Sequence, residues 1–413
     1  MDYQLLLSYK RDDYIDSIRY LRPPTGTNRE YEVVECAQDS LANLRILTET
    51  ELEGWLSDNT TTASQFLLGV SRGSRQTGNN PAFPHLDCFS SDSLPLSHSL
   101  FVKVLSALGL PDATPALLHS NSTHFQWCTM GPSDKEQRRV GLVMRLASRG
   151  ILESDMTLSA AYSPATGTVT AFLHGCTSDQ QEEVGNKLLA FSPLFAHPLL
   201  LSVILAEMRL DAIDHWRRSL WRLLLDVETR SGQTGAPTLH AASQQHQMYD
   251  KGQDYWVRVA MDALTVMQLA AGMEDHANCL KLILSEMTSM LSQLPEAAGC
   301  GKTSRLVKTG WLIKQKVQSL SHGLDITISG IQYIMKRGEA QQSAVYNFTA
   351  QQDSSMQKDI AMKSANIAHS AKLDSSAMKG IAVLTMVFLP ATFMAVGTLP
   401  SPVGTPPLTH AGV

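Results

Sequence analysis

Residues 380–396, GIAVLTMVFLPATFMAV, run for 17 positions without a charge. No other feature limits the architecture so sharply. At about 1.5 Å per residue the run spans roughly 25 Å as a helix, just under a hydrocarbon core of about 30 Å. Periodicity alone leaves two readings, a short membrane span or a helix buried in protein. Two details favour the span. The run is apolar on all sides, and Lys372 and Lys379 flank its N-terminal end as cytoplasmic anchors do. Pro390 is tolerable there, because neighbours in a membrane bundle satisfy the carbonyl it frees.

The text upstream reads as a helix feeding this run. Ile313, Val317, Leu320, Leu324, Ile328, Ile331 and Met335 are spaced 4, 3, 4, 4, 3 and 4, close to a heptad seam. Residues 340–376 turn polar but hold no proline, so the helix is expected to continue, facing water or a water-filled lumen. Further back, residues 197–228 show apolar positions at three- and four-residue spacing, and 255–272 and 274–294 read as two more amphipathic helices before a break at Pro295. A Gly/Gln/Ser/His-rich stretch at 231–247 separates these segments.

The first part of the chain is mixed. Residues 39–56 read as a short helix or helix and turn, and 69–99, rich in Gly, Pro, Ser and Asn, as a long loop. SLFVKVLSALGL reads as a helix ended by Gly109 and Pro111. VGLVMRL at 140–146 is a compact strand, and MTLSAAYSPATGTVTAFLHG at 156–175 a β-hairpin turning at Pro164-Ala165-Thr166-Gly167.

Composition excludes several functions. The net charge of −5 argues against nucleic-acid binding, which needs a basic surface. Cys36, Cys88, Cys128, Cys176, Cys279 and Cys300 form no CxxC pair, so reduced thiols are expected. The N-terminal MDYQLLLSYKRDDY lacks a signal-peptide core, which places the bulk of the chain in the cytosol and leaves the sequons at Asn59, Asn121 and Asn347 unglycosylated. Gly299-Cys300-Gly301-Lys302-Thr303 imitates a P-loop, but Glu296 stands where the first glycine belongs and helical text precedes it. The basic and aromatic His215–Arg222 segment reads as helix packing with snorkelling arginines. The 13 histidines show no catalytic metal spacing, and no nucleophile elbow or paired-carboxylate motif is present, so the chain reads as no enzyme, with no cofactor.

Asp374-Ser375-Ser376-Ala377-Met378-Lys379 followed by IAVLTMVFLPATFMA resembles the end of the stalk helix and the first transmembrane helix of CorA-like magnesium transporters, most of all their divergent fungal branch. The hairpin at 156–175 and the helix start HPLLLSVILAEMRLD are similar to the same family. The resemblance implies a homopentamer (no nucleic-acid partner) with a cytosolic α/β funnel, and passive, magnesium-gated transport of divalent cations. It implies a pore lined by Ser375, Met378, Ile381, Leu389 and Thr392. Met378 and Ile381 would form a constriction that gates by dewetting, and Thr392 would offer a hydroxyl to a hydrated ion. Magnesium enters as the transported or regulatory ion, and regulatory metal sites are left unassigned.

The expected fold is α+β: an α/β cytosolic domain at 1–176, amphipathic helices at 196–303, a coiled-coil-like stalk at 304–379, a transmembrane helix at 380–396 and a Pro-rich tail at 397–413. Leu399-Pro400-Ser401 occupies the place of the family's Gly-Met-Asn triplet, and GTLPSPVGTPPLTHAGV replaces a second membrane helix. The chain is therefore expected to be a membrane protein related to divalent-cation transporters, with transport impaired by loss of that helix. The alternative is a non-conducting, membrane-tethered or soluble interaction protein that keeps the funnel and stalk.

Overall fold

A computed structural model describes residues 11–20, 30–37, 42–57, 63–70, 93–120, 122–131, 138–148, 152, 154–232, 253–299 and 305–397. Residues 71–92 of the loop expected at 69–99, whose ends are strand at 69–70 and 93–94 and helix from His98, residues 233–247 of the separator expected at 231–247, Gly301 to Thr303 of the P-loop lookalike, Asn59, Asn121, Cys88, Cys300 and the tail at 398–413 with Leu399-Pro400-Ser401 lie outside them.

The described elements run in the order α1 (Arg11–Ser17), β1 (Arg19–Tyr20), β2 (Glu30–Ala37), β3 (Asn43–Thr48), α2 (Glu49–Ser57), β4 (Ala63–Val70), β5 (Ser93–Leu94) and α3 (His98–Ala107). Then come α4 (Thr114–His119), β6 (His124–Met130), β7 (Arg139–Leu146), β8 (Met156–Ser163), β9 (Thr168–His174) and α5 (Ser178–Ala190). Three long helices follow: α6 (Leu200–Ser231), α7 (Gln253–Ala297) and α8 (Arg305–Gly397).

Seven strands form a sheet of order β3-β2-β4-β9-β8-β7-β6. Neighbours are antiparallel except β4 and β9, which pair in parallel. Both faces are covered. Tyr31, Val33, Leu67 and Phe172 pack with Leu52 of α2 and Phe101 and Val104 of α3. Val34, Phe66, Leu68, Leu142, Leu158 and Leu173 join the opposite layer with Leu188 of α5 and the start of α6. A strand buried on both faces has no polar side to alternate with, which is why β7 reads as an apolar run broken only by Arg145. The β8–β9 hairpin turns at Gly167, whose φ of +66° suits a residue without a Cβ.

Three expectations need correction. Residues 43–48 are strand, not helix; β3 pairs along β2 from Glu30↔Thr48 to Glu35↔Asn43, and helix begins only at Glu49. Ladder hydrogen bonds decide that stretch, where local propensity is weak. Residues 255–272 and 274–294 are one helix of 45 residues. It also continues past Pro295 to Ala297, at the cost of the one bond that Pro295 cannot give to the Leu291 carbonyl.

His197 stands where the chain turns into α6. It is 1 % exposed, and its Nδ1 accepts the backbone N–H of Leu199 at 3.2 Å. Burial pushes its pKa down to about 3. The ring's contribution to stability is therefore complete above its ordinary value of 6.5 and is lost as the pH falls toward 3. Acidification from about pH 8 to about pH 5 is expected to remove about 2 kcal/mol through this ring. His197→Asn keeps an acceptor for Leu199, and its denaturation midpoint should show correspondingly less acid sensitivity than the wild type.

Candidate functional site

The last half of α8 is where the structure presents apolar side chains with nothing of its own to bury them. It is held at its base by a three-helix bundle in which α6 runs parallel to α8 and α7 antiparallel. The seam foreseen from spacing is real. Ile313, Val317, Leu324 and Ile331 are buried, and the stripe then passes to Ile334, not Met335, and on to Gly338, Gln341 and Val345. The expected positions advance by about 3.7 residues per contact, faster than the 3.5 of a heptad seam, so the buried line falls back by one residue. Gly338 lets α7 approach closely; a Cβ there would lie 2.7 Å from Cγ of Met267.

Polar contacts fix the helices against sliding. Glu228 of α6 is 1 % exposed and takes two hydrogen bonds from Arg337 of α8, from Nε at 2.7 Å and from Nη2 at 2.5 Å. The guanidinium also lies 4.9 Å from the ring centroid of Trp221, which stacks on Tyr333. One turn further, Ser231 donates to Gln341 at 2.6 Å. Trp256 at the start of α7 stacks on Phe348 with centroids 5.3 Å apart. Nearer the sheet, Glu207 receives Lys316 at 2.5 Å and lies 3.6 Å from Lys187 of α5, while burial raises the pKa of neighbouring Asp211.

Val345 is the last buried residue of α8 among those described, and every residue at 353–388 is exposed. Of the 93 residues of this helix, about 140 Å long, roughly 50 Å is thus a bare rod. Met356, Ile360, Ile367, Leu373, Leu384 and Phe388 are large apolar side chains on it, each more than half exposed. The uncharged run at 380–396 continues the rod as helix through Pro390. Met386, in its middle, is 80 % exposed, so burial in this chain's own core does not account for the described part of the run.

The five positions expected to line a pore all fall on this helix. Ser375 is exposed, Met378 is 67 % exposed and Ile381 is 59 % exposed, so packing within the chain does not account for the last two. Leu389 and Thr392 are helical, but their side chains lie outside the described residues. At roughly 100° per residue the five positions share an arc of about 120°. The helix therefore sets them in a stripe rather than a cluster. Asp374 falls on the same arc, while Lys372 and Lys379 lie beyond its edge.

Sequence reasoning missed the buried charges that tie the sheet to α4 and α6. Arg145 on β7 is 0 % exposed, donating to the Leu117 and Leu118 carbonyls, to Thr157 and to Asp155. Arg209 on α6 donates to the carbonyls of Leu146 at 2.7 Å and Ser154 at 2.9 Å, and burial brings its pKa down to about 10. Beside it, burial pushes the Cys176 thiol up to about 12. The one signal was an arginine inside the apolar run VGLVMRL. Among the described residues no three His, Cys, Asp or Glu side chains gather as a metal cluster, and no helix is long and apolar enough to cross a membrane.

No protein-family model and no curated protein matches the chain. Among solved structures, full-length CmaX is similar at 15% identity and a TM-score of 0.39, over 94% of this chain and 92% of that one. The cytoplasmic domain of ZntB from Vibrio parahaemolyticus is similar at 9% identity and a TM-score of 0.35, over 80% of this chain and 100% of that one. Neither likeness is close enough to place the chain in a family.

Arg337→Leu leaves the Glu228 carboxylate buried without its counter-charge, and is expected to cost about 3–5 kcal/mol. The double change with Glu228→Met should cost less than Arg337→Leu alone, as read from urea denaturation of the three variants beside the wild type.

Proposed function

We propose that this is a CorA-like membrane protein related to divalent-cation transporters, in which α8 carries the stalk and enters the bilayer at 380–396. The observation that carries the reading is the bare rod: a helix anchored by α6 and α7 that then runs exposed, with large apolar side chains on it, into an uncharged run apolar on all sides. Such a surface needs cover from outside the chain. Copies of the same helix around an axis would cover the stalk, and lipid with a further membrane helix would cover the run. The resemblance of residues 374–395 to the CorA-like stalk and first membrane helix supports the same assignment.

In this reading the protein is a homo-oligomer, a pentamer by the resemblance, with its sheet and bundle in the cytosol and no catalytic role. Ser375, Met378, Ile381, Leu389 and Thr392 face the axis on their shared arc. Met378 and Ile381 form an apolar ring that closes by excluding water. Asp374, on the same arc one turn before Met378, lends negative charge to the approach and concentrates cations there.

A second reading, a non-conducting interaction protein that uses the stalk to join partners, is favoured by one observation: no described helix is long and apolar enough to cross a membrane. Alkaline carbonate extraction separates the two. The full chain is expected to stay in the membrane pellet, and a chain ending at Lys379 to become soluble. If both are soluble, the membrane assignment fails. For a chain that stays in the membrane, magnesium uptake as sole transporter in a deficient cell is expected to be impaired but measurable, and Met378→Ser should raise the flux by loosening the apolar ring. Absence of uptake by the wild type leaves the interaction protein as the reading that stands.

A further inference from the structure

A cavity of about 460 Å³ opens between the end of α7 and the start of α8, with His197 at its floor. Its volume lies within the range of small-molecule pockets, roughly 300–1,000 Å³. Leu291, Leu294, Leu306 and Trp311 give it apolar walls, and Trp311 and Lys314 stand exposed at its rim.

The chemistry of the floor follows from one hydrogen bond. Nδ1 of His197 accepts the Leu199 N–H, so in the neutral ring the proton sits on Nε2. That Nε2–H is buried and has no hydrogen-bond partner among the described residues. It faces Gly310, where an added Cβ would lie in van der Waals contact at 3.6 Å from Nε2, so the glycine sets no side chain of its own against the donor. A second donor stands on the wall. Ser289 Oγ receives Gln293 Nε2 at 3.1 Å, which leaves its own proton to give. Thr288 and Ser292 have spent theirs on the Leu284 and Ser289 carbonyls. The lining holds donors and one cation, Lys314, with no carboxylate. This set suits an acceptor-bearing anion and not a metal ion, which would need carboxylates or an unprotonated ring nitrogen.

We propose that this cavity binds a small amphipathic monocarboxylate, its carboxylate taking hydrogen bonds from His197 Nε2–H and Ser289 and its chain lying against the leucines and Trp311. An unpaired buried donor is costly, and an acceptor delivered by a ligand removes that cost, so the carboxylate is what the site selects. The inference stands on the cavity alone and does not depend on transport or on membrane insertion.

The test is titration calorimetry of the purified full-length chain with sodium octanoate, with 1-octanol and inorganic phosphate as comparison arms. Octanoate is expected to saturate at one per chain, with octanol at least about tenfold weaker and phosphate showing no saturable heat. His197→Asn keeps the acceptor for Leu199 but withdraws the reach of Nε2, and should weaken octanoate about tenfold or more. Gly310→Ala fills the space before the donor while favouring the helix, so it should weaken octanoate without lowering the melting temperature. No saturable heat with octanoate overturns the proposal, as does unchanged binding in both variants. Octanol as tight as octanoate overturns the carboxylate assignment, and phosphate as tight overturns the role of the apolar wall.

Discussion

The placement of the long helix rests on the buried Glu228 carboxylate and the fork of Arg337 that meets it. An apolar seam of leucines and isoleucines tolerates a shift of one helix along another, because one apolar contact replaces the next at nearly the same energy. A carboxylate at 1 % exposure does not. Any slip leaves it in a medium of low dielectric without counter-charge, at a cost of several kcal/mol. Stacking of Arg337 with Trp221 and Tyr333 holds the fork in plane, and Ser231 with Gln341 repeats the constraint one turn on. These contacts sit just before α8 leaves the body, so they set the direction of everything beyond.

The consequence is mechanical. A helix carries rotation and translation along its axis with little loss over tens of ångströms, since each backbone hydrogen bond is local to its turn. The same rigidity explains why the apolar residues of the rod can sit exposed in a single chain. They are held in place by helix formation and not by packing, so they are available to whatever covers them.

Legibility from sequence differed by part. The helices of the bundle and stalk could be read because one stripe of each is buried, which leaves a 3.6-residue signature in the text. The continuity of α8 was readable for the plain reason that 340–376 contains nothing to stop a helix. The sheet was legible only at β7, β8 and β9. The others were hidden because their pattern is set by partners distant in sequence: β2 carries Glu32 and Glu35 among its valines, and β3, on the sheet's edge, leaves Leu44 and Ile46 exposed, which looks like neither period. The pore-facing set came from resemblance, and only its shared arc can be argued from helix geometry. Arg145, Arg209 and His197 gave almost no signal, since a buried charge or ring is defined by neighbours that no local window contains.

His197 shows what such a residue adds once the fold is known. One ring nitrogen is used by the turn into α6, and that use dictates the state of the other. A backbone N–H pointed at Nδ1 is enough to make Nε2 a donor, and Gly310 sets no side chain against that donor. The turn and the cavity are therefore one device: the hydrogen bond that starts α6 also sets the polarity of the pocket floor. His197→Asn keeps the turn while withdrawing Nε2, so it separates the two uses of the ring: acid sensitivity of the fold reports its burial, and octanoate binding reports its donor.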